Sequence, residues 1–384
     1  MNSLKDYNII LINIDGFRKD KIELCPSLKK IKENSIYFSN MYTAAPYTFA
    51  ALHAIFSGMY PSRNGVNAYY NIFKFKKDSI TTLSELLQKA GFYTCCDIIS
   101  ESVMPKQGID EWNLFDESTV NFKERHGELI KKLSKKEKFF AFLHYTETHK
   151  NLVRDIVSRY NQEDNNDEFF RSQKQNDERF NSYLPSCDEY VSTIIDALKS
   201  SGIYDKTIII FFTDHGTSIG EKNGEKFYGV YTYDYTIGVF SIVHIPGIDG
   251  QIINNQCRTL DIFPTIADIV EFPLNEDFSK IQGKSLIELI ENVSTEEREV
   301  FVETGGLYGP WPSPKKHNVF CVRLKQKKLI YNDTPETWEF YDLEKDPKEI
   351  NNIYNENLPI VQELKERLIW NLSNNNIITK ISKN

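Results

Sequence analysis

A chain of 384 residues, 40% hydrophobic and 13% aromatic with 25 Phe and 21 Tyr, carries enough apolar material for one large domain with an appendage or for two domains, which excludes a disordered protein. Its formal net charge of −8 argues against a general nucleic-acid binder and leaves room for local basic patches. No apolar run approaches the roughly 20 residues that a membrane span needs.

The first apolar run, "YNIILINID" from Tyr7, is too short for the core of a secretion signal and ends in an acid instead of a small-residue cleavage site. The six cysteines, Cys25, Cys95, Cys96, Cys187, Cys257 and Cys321, form no CxxC pair and no metal-finger spacing. Reduced thiols and a cytoplasmic location are therefore expected.

In chain order, "NIILINI" (8–14) reads as a buried strand from its continuous β-branched content. The stretch "APYTFAALHAIFSGMYPSRNG" (45–65) reads as an alanine-rich buried helix opening at Thr48. Threonine there is an ordinary N-cap, but a hydroxyl at a helix N-terminus also sits where negative charge is favoured. "TTLSELLQKAG" (81–91) predicts a helix with a glycine stop, followed by the strand "FYTCCDII". "KFFAFLHY" (138–145), "KTIIIFFT" (206–213) and "IGVFSIVHI" (237–245) predict further strands, with helices at 187–200 and 260–271. This alternation is that of an α/β fold, a large and mostly parallel sheet between helices.

Two regions break the rhythm. Residues 151–182 are polar and rich in Asn, Gln and charge, and read as a long unstructured insertion, either a lid or a surface loop. After about residue 290 the pattern turns to strands joined by turns, "VFVETG", "FCVRLKQKKLIYND" and "WEFYDLEKDP", then the amphipathic helix "LPIVQELKERLIWNL" and a tail "SNNNIITKISKN" expected to be disordered. The division expected is a catalytic α/β domain over 1–290 and a smaller α+β subdomain over 291–384.

Three strands end in groups that can do chemistry. The first ends in Asp15, the strand at 206–213 in Asp214 and His215, and His149 lies just beyond the strand at 138–145. In an open α/β sheet the carboxyl ends of the strands form the ligand crevice, so these side chains should meet. Each has an ordinary reading as a turn, a cap or a structural histidine. Together, two like-charged carboxylates call for a cation between them, which predicts one divalent metal.

The order "NIILINIDG", "YTAAPYTFAALHAIFSGMYPSRNGV", "FFTDHG" and "FYDLEKDPKEINNIY" resembles the sulfatase branch of the alkaline phosphatase superfamily over nearly the whole chain. The resemblance places the family's nucleophile on Thr48, nine residues before Ser57. The Cys or Ser of the sulfatase signature is absent, and its Pro, Ser and Arg are replaced by Ala50, Ala51 and Leu52, so formylglycine is not expected. A threonine in this slot resembles the phosphotransferase members of the superfamily.

Carried over residue by residue, the resemblance implies that Asp15, Asp214, His215 and Thr48 hold one Mn²⁺, Mg²⁺ or Zn²⁺. His149 would contact the anionic group or protonate the leaving oxygen. Lys226, or Lys222, would stand in for an anion-binding lysine, with a solvated loop charge as the alternative for each. His144, inside a strand, reads as core, His53 as facing away from Thr48, and His317 as a spare ligand. The expected function is hydrolysis or transfer of a phosphate ester, diester or phosphonate through a phosphothreonine. Cleavage of a small or carbohydrate sulfate ester is the first alternative and a non-catalytic binding protein the second.

Overall fold

The computed structural model describes residues 4–66, 74–160, 166–223, 225–275, 278–304, 318–375 and 377. Continuous runs of β-branched and aromatic residues give β1 (Asn8–Ile14), β2 (Ile36–Tyr42), β3 (Tyr93–Ile98), β4 (Glu111–Leu114), β5 (Phe139–Tyr145), β6 (Thr207–Phe212), β7 (Gly238–His244), β8 (Gln251–Ile253) and β9 (Cys257–Arg258). They form one sheet in the order β4-β3-β5-β1-β6-β7-β2-β8, with β9 beside β2. The pairs from β4 to β6 are parallel, and β7 runs antiparallel to both β6 and β2.

Because successive side chains of a strand point to opposite faces, β1 feeds both sides of the core. Ile10, Ile12 and Ile14 pack on one face with Val191, Ile194 and Leu198 of the helix Leu184–Ser200. Ile9 and Leu11 pack on the other with Leu52, Ile55 and Phe56 of the helix Thr48–Ser57. β1 is thus buried on both faces and hydrogen-bonded on both edges, and its carboxyl end is a rigid platform. No described helix is long and apolar enough to cross a membrane.

A second, antiparallel sheet has the order β10 (Val300–Thr304), β11 (Val319–Arg323), β12 (Lys327–Asn332), β13 (Thr337–Asp342), and the helix Pro359–Asn374 packs on it. Buried charge joins it to the main sheet. Asp234, just before β7, pairs with Arg323 Nη2 at 2.8 Å and Lys328 Nζ at 2.9 Å, and Glu349 pairs with Lys328 at 2.7 Å. The segment "DPKEINN" closes this clasp. Asp346 accepts the amides of Ile350 and Asn351, Glu349 accepts that of Asp234, and Asn352 that of Phe340.

The structure corrects the sequence reading in three places. The expected loop at 151–182 is helical where described, with helices at Ser158–Tyr160, Asn166–Arg171 and Gln173–Asn181. Leu152, Ile156, Val157 and Tyr160 are buried in its first part, and beyond residue 166 only Phe169, Asn176 and Phe180 are, spaced seven and four apart, a stripe that a composition-based reading of a polar background misses. β2, β4, β8 and β9 were not expected; Ser39 and Asn40 form a bulge that interrupts the alternation of β2, and the other three are only two to four residues long. The terminal helix takes in Ser373 and Asn374 of the expected tail, and the rest of that tail, Asn375 and Ile377 apart, lies outside the described residues.

Lys328→Ala leaves Glu349 buried without its cation, so denaturant unfolding should show a loss of about 3–5 kcal/mol. A loss near zero would show that the clasp does not hold the second sheet.

Candidate active site

Two turns carry the site, and the sequence stitches them together. After β1 the chain turns at Asp15-Gly16, and after β6 at Asp214-His215. Asn13, on β1, accepts the Asp214 amide at 3.0 Å. In return Asp214 Oδ1 accepts the Gly16 amide at 3.4 Å, and Thr213 Oγ1 accepts that of Phe17 at 3.2 Å. Gly16 has a φ of +66°, and a Cβ there would meet Thr217 Oγ1 at 3.4 Å and His215 Cε1 at 3.8 Å. Those are ordinary contact distances, so it is the left-handed backbone that requires glycine.

Asp15, Asp214 and His215 are buried, with ligand atoms within 4.8 Å of one another. His215 Nδ1 donates to the Gly216 carbonyl at 2.9 Å, which leaves the Nε2 lone pair facing the carboxylates. That Nε2 lies 3.6 Å from Asp15 Oδ1 and 3.7 Å from Asp214 Oδ2. Neither of these two buried oxygens accepts a hydrogen bond among the described residues.

Burial works to raise the pKa of Asp15, but His149, His144 and His215 outweigh it and hold the carboxyl well below the usual range. Asp214 is pushed up, by burial first and then by the charge of Asp15. Two buried carboxylates with open oxygens and an imidazole lone pair fit a divalent cation.

Thr48 opens its helix at the first helical position, after Tyr47, and its side chain makes no capping bond. The hydroxyl instead crosses to the strand ends, 3.3 Å from Asp15 Oδ2 and 3.2 Å from His215 Nε2. The cap reading is thereby replaced. Thr48 and His149 are only half-buried, whereas Asp15, Asp214 and His215 are closed off. His149 Nε2 lies 2.6 Å from Tyr228 Oη, and the Tyr228 ring stacks on His215 with centroids 4.4 Å apart. Tyr228 was missed by the sequence reading. It follows Phe227, whose backbone is left-handed at φ +73°, and no periodic pattern marks such a loop position.

His144 is also corrected: it is buried as expected, yet its Nε2 donates to Asp15 Oδ2 at 2.8 Å. Strand register carries the missed signal, since His144 lies opposite Asn13, two residues before Asp15. His53 packs on Phe75 and donates to the Phe49 carbonyl, a core role. Neither lysine is a solvated loop charge. Lys222 contacts Glu339, Tyr341 and the Glu349 carbonyl of the second sheet, and buried Lys226 donates to the Tyr160 carbonyl at 2.6 Å. His317 lies outside the described residues.

Residues 8–272 match the family model described as sulfatase, and residues 224–375 that of the C-terminal region of N-sulphoglucosamine sulphohydrolase. The chain is 27% identical over 186 residues to an arylsulfatase of Clostridium perfringens, covering 47% of this chain and 35% of that protein. It is 31% identical over 176 residues to an N-acetylglucosamine-6-O-sulfatase of Bacteroides thetaiotaomicron, covering 44% and 30%. The matches thus span about a third of the length of these curated relatives. Among solved structures, a protein in complex with its substrate D-glucosamine-2-N,6-O-disulfate aligns with TM-score 0.76 at 18% identity, over 97% of this chain and 98% of that one. The phosphonate monoester hydrolase of Agrobacterium radiobacter aligns with TM-score 0.75 at 15% identity, over 96% of each. At these identities the structures show the shared fold.

Adding Mn²⁺ to chelator-stripped protein should raise the Tm, because binding to the native state alone stabilises it by about 2.7 kcal/mol at a hundredfold excess over Kd. Asp214→Asn should abolish the shift. An equal shift in that variant would place the cation elsewhere.

Proposed function

Since the chain belongs to the sulfatase family, a family of hydrolases that use a divalent metal, we propose that it cleaves or transfers phosphate esters, diesters or phosphonates through a covalent phosphothreonine at Thr48. The observation that carries this reading is the half-exposed Thr48 hydroxyl at a helix N-terminus, within 3.3 Å of both Asp15 and His215. Threonine is a secondary alcohol, and its oxidation gives a ketone in place of the formylglycine aldehyde. The hydroxyl itself is then the nucleophile.

In this reading Asp15, Asp214, His215 and Thr48 hold the metal. When bound, the cation lowers the pKa of the hydroxyl and offsets charge on the transferring group. The helix N-terminus adds to the stabilisation of negative charge at Thr48 Oγ1. Thr48 Oγ1, its proton released to water, bonds to phosphorus as the bond to the leaving oxygen breaks. His149 Nε2 hydrogen-bonds the Tyr228 hydroxyl, and as imidazolium the ring passes a proton to the leaving oxygen and is left neutral. Water or an acceptor alcohol then cleaves the threonine ester. Lys226 would contact a substrate oxygen only by exchanging the Tyr160 carbonyl for it.

Sulfate-ester hydrolysis is the second reading, favoured by the sulfatases among the relatives and by the C-terminal family match. Turnover of nitrophenyl phosphate, bis-nitrophenyl phosphate, a phenylphosphonate ester and nitrophenyl sulfate with Mn²⁺ separates the two. The phosphoryl reading predicts activity on the first three and little on the sulfate; the reverse order overturns it.

Thr48→Ala should keep fold and metal and lose about 10⁴-fold or more in kcat, while Thr48→Ser stays active. His149→Ala should slow alkyl esters by about 10²–10⁴-fold and nitrophenyl esters much less, since a good leaving group needs no proton. Equal losses on both would remove His149 from the role of acid.

A further inference from the structure

Resting on the metal site proposed above, we infer that His144 is a positioning residue that ties up one oxygen of Asp15 and so selects a transition-metal ion over Ca²⁺. Asp15 Oδ2 accepts from His144 Nε2 at 2.8 Å and faces Thr48 Oγ1 at 3.3 Å, so both its lone pairs are spoken for. Oδ1 accepts none. Asp214 divides its oxygens the same way, with Oδ1 taking the Gly16 amide and Oδ2 left open. Each carboxylate therefore offers a cation one oxygen, beside one imidazole nitrogen and the Thr48 hydroxyl.

That donor set is short of what Ca²⁺ takes, six to eight oxygens and often a bidentate carboxylate, and it suits ions that accept imidazole and fewer ligands.

The imidazole is an expensive way to fill this space. His144 is fully buried, its ring stacked near Phe142 and edge-on to Phe115, and its Nδ1 makes no hydrogen bond among the described residues. An apolar residue would pack there without the cost of an unpaired polar atom. What the ring provides in return is one N–H aimed at Asp15. The aromatic neighbours hold it in that direction, and β5 sets the height of the donor, since His144 is in register with Asn13.

Calorimetric titration of chelator-stripped protein with Mn²⁺ and with Ca²⁺ tests this. Wild type should bind Mn²⁺ the more tightly. His144→Leu, which leaves Asp15 free to offer both oxygens, should lose about 10–100-fold in Mn²⁺ affinity and narrow the Mn²⁺-to-Ca²⁺ ratio. His144→Gln, whose amide nitrogen reaches the place of Nε2, should restore both. If the leucine variant does not fold, His144→Asn, whose amide falls short, replaces it in the comparison with glutamine. An unchanged ratio in a folded leucine or asparagine variant overturns the inference, as does a glutamine variant no better than either. Wild type binding neither ion overturns the metal reading itself and this inference with it, an outcome distinct from the variant results.

Discussion

Two carboxylates, Asp15 and Asp214, are held buried at the ends of neighbouring parallel strands, and the structure around them is arranged to make that tolerable. Their turns are bonded to each other through Asn13, Thr213 and Gly16, so neither carboxylate can swing away. Three imidazoles surround Asp15 and hold it ionised, while Asp214 is pushed the other way by burial and by its neighbour's charge. The unpaired oxygens that remain are the physical argument for a cation, and in the proposed mechanism that cation and a helix N-terminus act together on the hydroxyl of Thr48.

Exposure divides the labour. The candidate ligands Asp15, Asp214 and His215 are closed off, and Thr48 and His149 are half-exposed. Groups that bind metal gain from a low dielectric, whereas a nucleophile and an acid must meet a substrate. Tyr228 joins the two classes, touching His149 through its hydroxyl and His215 through its ring. Among the described residues, the second sheet supplies none of these groups. Its buried charges, and the C-terminal "DPKEINN" segment that most resembles the family, form a structural clasp onto the loop before β7.

Five strands of the main sheet, β1, β3, β5, β6 and β7, were legible because continuous apolar runs bounded by polar turns have few other meanings, and β1, β5 and β6 fall within a residue of their expected bounds. From those strand ends the meeting of Asp15, Asp214 and His215 followed. Thr48 came from register with a family motif, since the residue alone reads as a cap. What stayed hidden depends on partners distant in sequence. His144 has the pattern of a core residue, and only the β1–β5 register brings it to Asp15. Tyr228 sits in a loop whose path is set by a left-handed Phe227. The helices between residues 166 and 181 bury a single stripe, too sparse for composition to separate from a polar loop.

The central claim is that Thr48 carries the transferred group. Quenching the protein with Mn²⁺ during turnover of a slow phosphoester, digesting it and mapping the added phosphate by mass spectrometry reads this directly. The account predicts phosphate on Thr48 in wild type and on no residue of Thr48→Ala. Phosphate on another residue, or none while turnover proceeds, would contradict it.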